Sequence, residues 1–136
     1  MVDPGLRAAW LQEIVALDPQ RLRGEPDLTT LAGHIAESVV GATLSTISGL
    51  DIAWFPERAG EPEVDFVLNI GDRRVPIEVK YQARIDPLRD TDGLRAFLEK
   101  RANRAAFGVL VTQSDTDVVV DPRIVTVPLA SLMLLR

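Results

Sequence analysis

The chain has no cysteine and a single histidine, His34. Without thiols, disulfides and thiolate-held metal sites are excluded. With one imidazole, a histidine-based metal centre or a Ser-His-Asp arrangement has little material. Aromatic residues make up 5% of the chain. Trp10 lies on an apolar helical stripe and Trp54 in a short strand, so both suit packing better than base stacking. No apolar run nears the ~18 residues of a membrane span. The opening "MVDPGLRAAW" has no basic segment leading into an apolar one, so it is not a signal peptide. A cytoplasmic protein with no membrane association is the expectation. Basic residues are outnumbered as well, 15 against 20 acidic, for a net charge of −5. That balance argues mildly against nucleic acid as a partner.

What is present fits one domain spanning 1–136, with apolar residues at 46% and enough length to bury a core. The charge is uneven: net −5 over residues 1–57, +1 over 58–104 and −1 over 105–136. "DPGLRAAWLQEIVAL" predicts a helix with Asp3 as cap and Pro4 at its first position. Thr29 or Thr30 can cap a second helix running to about Ser48, with Leu31, Ile35, Val39, Val40, Leu44 and Ile47 apolar. A short strand at 52–55 and a Gly/Pro loop follow. "DGLRAFLEKRAN" reads as a third helix with Leu94, Phe97 and Leu98 inward. "AFGVLVTQ", "DVVV" and "RIVTV" read as strands, and "PLASLMLLR" as a closing helix. The order predicts an α/β sandwich: a mixed sheet with an antiparallel hairpin core, flanked by helices.

The hairpin is "EVDFVLNIGDRRVPIEVKY", residues 63–81. Gly71-Asp72 suits a two-residue loop with glycine first. It pairs Ile70 with Arg73, so facing residue numbers sum to 143. Val64, Phe66 and Leu68 then share an apolar face with Val79, Ile77 and Val75. On the other face Asp65 meets Glu78, and Glu63 meets Lys80. Pro76 turns its missing N–H away from the first hairpin strand, so the strand on its other side must lack a bond or diverge there.

Two carboxylates about 5 Å apart repel by about 3 kcal/mol at an effective dielectric of about 20. A divalent cation is the simplest offset. Asp65 and Glu78 can bind Mg2+ through carboxylate oxygens, with the backbone carbonyl of Val79 as a further ligand. Lys80 lies two residues beyond Glu78 on the same strand face. There it can orient an attacking water and stabilise charge forming on a phosphate. The alternative is a solvated strand face with Glu63 and Lys80 as a surface ion pair.

The aspartate followed thirteen residues later by Glu-x-Lys resembles the core of the PD-(D/E)XK nuclease superfamily, whose fold is restriction-endonuclease-like. Asp65 matches the first aspartate of that family, and Glu78-Val79-Lys80 its E-x-K. Val64 stands where the family has proline. The resemblance implies a Mg2+-dependent DNA endonuclease, with Mn2+ able to substitute and DNA as substrate. It also implies a glutamate from the preceding helix as a further metal ligand, and "GHIAESVV" offers Glu37 for it, with Gly33 and Gly41 one turn away. Gln82 falls where some relatives carry a polar active-site residue. His34 can contact Glu37 or phosphate, or be an ordinary surface histidine, and Arg58 is a further candidate substrate contact.

A narrower resemblance runs through "DPGLRAAWL", "LAGHIAESVV", the hairpin, "DGLRAF" and "VTVPLASLM". Together they resemble the C-terminal domain of prokaryotic AAA+ ATPases of unassigned role. No G-x-x-x-x-G-K-[ST] is present, so the chain is not the ATP-binding part. The resemblance implies a C-terminal fragment of a larger ATPase. Beside the nuclease reading stands a second one, a non-catalytic module that binds nucleic acid or a protein partner, or regulates the ATPase.

Overall fold

A computed structural model describes residues 26–55, 63–115 and 119–134, with the backbone alone at 26, 27, 54 and 55. The helix expected over residues 3–17, the indoles of Trp10 and Trp54, and Arg58 lie outside what is described.

The first described helix, α1, spans Pro26–Thr46. It starts three residues before the threonines expected to cap it. Proline suits the first turn because the N–H it lacks has no intrahelical partner there. Ser38, Thr43 and Ser45 donate to carbonyls four residues back, at 2.9, 2.9 and 2.8 Å, and so satisfy their hydroxyls within the helix. The buried stripe runs through Ala32, Ala36, Val40 and Leu44. Leu31, Ile35 and Val39 are only half-buried. Small alanines at a spacing of four bring the helix axis close to the sheet, which a search for large apolar residues overlooks. Beyond the last turn, Gly49 takes φ +80°, where a residue without Cβ is unstrained.

Five strands follow: β1 (Asp51–Phe55), β2 (Val64–Ile70), β3 (Arg73–Lys80), β4 (Gly108–Thr112) and β5 (Ile124–Pro128). Between β3 and β4 lie α2 (Asp92–Glu99) and a 3-10 turn at Arg101–Asn103. The short α3 (Leu129–Leu132) follows β5. The strands lie in chain order, β1-β2-β3-β4-β5. The first two pairings are antiparallel and the last two parallel. This is the expected mixed α/β sheet with a hairpin at its centre. Of the expected "DVVV" strand, Val119 and Val120 are described, and neither is in a strand.

Around the turn, Ile70 pairs with Arg73, Leu68 with Val75 and Phe66 with Ile77, the expected register. Gly71 takes φ +62° in the loop, as a glycine-first hairpin turn requires. Pro76 behaves as its chemistry demands. The parallel ladder to β4 starts one residue later, at Ile77–Val109. Gly108 packs against Pro76 instead; a Cβ there would lie 3.3 Å from the proline ring.

Both faces of the sheet are covered. On one, Ile77, Val79 and Val111 pack with Ala36, Val40 and Leu44 of α1 and Leu132 of α3. On the other, Val64, Val67 and Leu110 pack with Leu94, Phe97 and Leu98 of α2, the three residues expected to point inward. No helix among the described residues is long and apolar enough to cross a membrane.

One part of the register differs from expectation. Val64 belongs to the α2 face, not to the face of Phe66 and Leu68. The β1–β2 ladder explains this. Ala53 pairs with Val67 but Phe55 with Val64, so β2 carries one extra residue over that span. Such a bulge turns the following side chains over and re-aims them. The β2–β3 ladder ends at Phe66–Ile77, and Asp65 lies just beyond it.

Candidate active site

The end of β3 and the bulged start of β2 hold the two predicted carboxylates. Asp65 does not simply face Glu78 across a regular ladder. Its Oδ2 accepts the Val79 amide at 2.7 Å. Every second residue of β3 turns both backbone groups towards β2. The Val79 carbonyl therefore looks the same way as its amide, towards Asp65.

Glu78 is not on a solvated face. It is 8% exposed, on a central strand beneath α2. Its Oε1 accepts from Lys80 Nζ at 2.5 Å. The alternative of a solvated face with a Glu63–Lys80 surface pair is not what forms: Lys80 pairs with buried Glu78. Glu78 Oε2 is buried without a hydrogen-bond partner. A carboxylate oxygen left so costs of order 1–3 kcal/mol or more, and it is an acceptor not yet used.

The electrostatics agree. Burial raises the Glu78 carboxyl to about 7, with the Asp65 charge adding to the rise and Lys80 opposing it. Burial likewise raises Asp65 to about 6, against the Val79 hydrogen bond and with the Glu37 charge adding. Burial pulls Lys80 down, but the Glu78 carboxylate outweighs it and the ammonium is held above its ordinary value. Two acids resisting ionisation beside a lysine are a site poised for positive charge.

A cleft of about 240 Å³ opens between the first half of α1 and the end of β3. His34, Glu37, Val79, Lys80 and Gln82 are among its walls. Asp65 and Glu78 are not. They lie behind it, joined to it through the Val79 amide and the Lys80 ammonium. His34 Nδ1 is 3.7 Å from Glu37 Oε2, as their spacing on the helix predicts. Gly33 lines the cleft with open space beside it, whereas Gly41 is buried and takes no part. Among the described residues, no three His, Asp or Glu side chains gather as a metal cluster. Glu37 reaches Asp65 by its charge but does not join the carboxylate pair.

The chemistry of the pair fits Mg2+. Each carboxylate keeps an oxygen that the contacts above leave uncommitted: Oδ1 of Asp65 and the orphaned Oε2 of Glu78. Hard cations take such oxygens and fill their other positions with water.

Sequence reasoning missed three walls and one support. Thr29, Thr30 and Tyr81 line the cleft; from sequence the threonines read as helix caps. Asp90 Oδ2 accepts from Gln82 Nε2 at 2.6 Å and from the Asp86 amide at 2.7 Å. It therefore fixes which end of the Gln82 amide faces the cleft. Asp90 stands in a polar loop without periodicity, and nothing in the sequence distinguishes it.

The model of a family described as "Domain of unknown function (DUF4143)" matches residues 32–132, from the first turns of α1 to the end of α3. No curated protein matches the chain.

Proposed function

The chain belongs to the DUF4143 family of unknown function, and within it we propose a Mg2+-dependent DNA phosphodiesterase domain, the C-terminal part of a AAA+ ATPase. The reading rests on the resemblance of Asp65 and Glu78-Val79-Lys80 to the PD-(D/E)XK core. One observation carries it: Glu78 Oε2, buried without a partner beside Asp65. Asp65, Glu78 and the Val79 carbonyl would hold Mg2+, or Mn2+ in its place. When bound, the cation supplies positive charge against a phosphodiester that gains negative charge in its transition state.

The other roles belong to side chains. Lys80, anchored on Glu78, orients the attacking water and faces the charge that develops on phosphate. Gln82, held by Asp90, offers its carbonyl oxygen as an acceptor at the cleft. Glu37 and His34 contact substrate or its water from the α1 side, and Arg58 is a further substrate contact. The second reading, a binding or regulatory module with a vestigial site, is favoured by the carboxylate pair not extending to a third group among the described residues.

The test pairs calorimetry with cleavage. Mg2+ or Mn2+ should bind the wild type and not Glu78→Ala. In Mn2+, cutting of duplex, single-stranded or branched DNA should slow by about 10²–10³ in Lys80→Ala, the usual loss for one electrostatic group, with metal affinity undiminished. Cleavage that survives Lys80→Ala unchanged refutes the role given to that residue. DNA binding without metal uptake or cleavage would establish the second reading.

A further inference from the structure

The other end of β3 carries a second cleft, of about 510 Å³, between the hairpin turn and the 3-10 turn with Arg104 at its end. Its walls include Asp51, Asp72, Arg73, Arg74 and Arg104. We infer that this hairpin-tip cleft binds a phosphate group, independently of the carboxylate site.

Three observations support the inference. First, the acidic walls are already engaged. Asn69 Nδ2 donates to Asp51 Oδ2 at 3.0 Å, and Arg104 Nη1 to Asp72 Oδ2 at 3.3 Å. Second, Arg73 and Arg74 are the exposed first two residues of β3 and both line the cleft, and no hydrogen bond or ion pair places either guanidinium on an acceptor among the described residues. Two guanidinium groups held by a hairpin form a donor set that matches phosphate oxygens bidentately. Third, Arg104 has φ +49° and ψ +36°, and it is the single non-glycine residue with positive φ among the described residues. That conformation disfavours a side chain, and glycine or asparagine would relieve it. The strained arginine instead directs its guanidinium across the cleft to the hairpin turn. Strain kept by a charged residue in a cavity wall points to function. The wall behind is firm: buried Asn103 donates to the Phe97 carbonyl at 2.9 Å.

The phosphate can come from a nucleic-acid backbone or from a free phosphate compound. Calorimetry with pyrophosphate in EDTA, where no divalent cation is present, tests the site without the carboxylate pair. Wild type should bind saturably. Arg73→Ala/Arg74→Ala should weaken binding at least tenfold, and Lys80→Ala should leave it unchanged. Arg104→Gly should raise the melting temperature yet lower pyrophosphate affinity, a combination that a purely structural arginine does not give. No saturable binding, binding unaffected by the double substitution, or binding abolished by Lys80→Ala would each overturn the inference. A duplex of roughly a dozen base pairs separates the sources, being long enough to pass both ends of β3, ~23 Å apart at about 3.3 Å per residue. If the double variant loses duplex affinity and its salt slope falls by about one per arginine, the phosphate is a backbone phosphate. If pyrophosphate binding alone falls, it is a free one.

Discussion

Glu78 holds one proton-accepting oxygen on Lys80 and leaves the other without a partner, beside an aspartate that also resists ionisation. Removing either negative charge should relieve the cation-free protein, but not equally. Asp65→Asn keeps an acceptor for the Val79 amide, since the asparagine carbonyl can replace Oδ2. It should raise the cation-free melting temperature at pH 8. Glu78→Gln removes the counter-charge of a half-buried lysine, and that loss offsets the gain. The expected order of melting temperature is Asp65→Asn, then Glu78→Gln level with or below wild type. Added Mg2+ should stabilise only the wild type. Equal Mg2+ shifts in all three proteins by differential scanning fluorimetry would rule out a cation at this pair.

At the scale of elements, the hairpin was the most legible part of the chain. A Gly-Asp turn between alternating runs fixed the register from Phe66–Ile77 to Ile70–Arg73, and Pro76 marked where the parallel ladder had to start late. The bulge in β2 was not legible. Val64, Phe66, Val67 and Leu68 are all apolar, so the pattern accommodates Val64 on either face and carries no sign of the extra residue. Burial of Glu78 was equally hidden, because a charged residue among alternating ones reads as a solvent face until α2 is placed over it. Glu37 and His34 were found through helical spacing and resemblance; Asp90 had no pattern to reveal it. The close approach of α2 to the bulge has a sharp consequence. A Cβ on Gly93 would lie 2.3 Å from the Glu63 carbonyl oxygen, a backbone atom that cannot rotate aside. Gly93→Ala should therefore destabilise the protein by about 2 kcal/mol or more, despite alanine's better helix propensity. Urea denaturation checks it, and a variant as stable as wild type would mean that the helix slides without cost.

For the whole molecule, the raised carboxyls set a pH dependence. Folded, Asp65 and Glu78 hold protons up to about 6 and about 7. Unfolded, they release them near pH 4. The folded state thus binds more protons across that window, and stability falls as pH rises from about 4 to about 7. Asp121 acts in the opposite direction at lower pH. The Arg123 side chain holds it down to about 2, so its contribution is present above pH 4 and lost as pH falls towards 2. Denaturant titrations of the cation-free protein at pH 4.5 and 7.5 should show the decline, and Asp65→Asn/Glu78→Gln should flatten it. A wild-type profile as flat as that of the double variant would assign the decline to other groups.

The chain-order sheet also has a history in time. β2 and β3 meet across a two-residue turn, while β3 must wait for β4, beyond α2 and the 3-10 turn, before its other edge is paired. Closing the longer loop costs more entropy before any contact offsets it. The meander therefore forms early, and the parallel half docks late. Glu78 and Lys80 pair with Leu110 and Thr112, so they belong to the late half, although they lie on the early hairpin. Substitutions at Leu68 or Val75 should slow folding, while those at Leu110 or Val111 should chiefly speed unfolding. During synthesis, the hairpin can emerge with both carboxylates still in water, each ionised at its ordinary pH. Their mutual repulsion, screened by water at first, sharpens when α2 and β4 bury them.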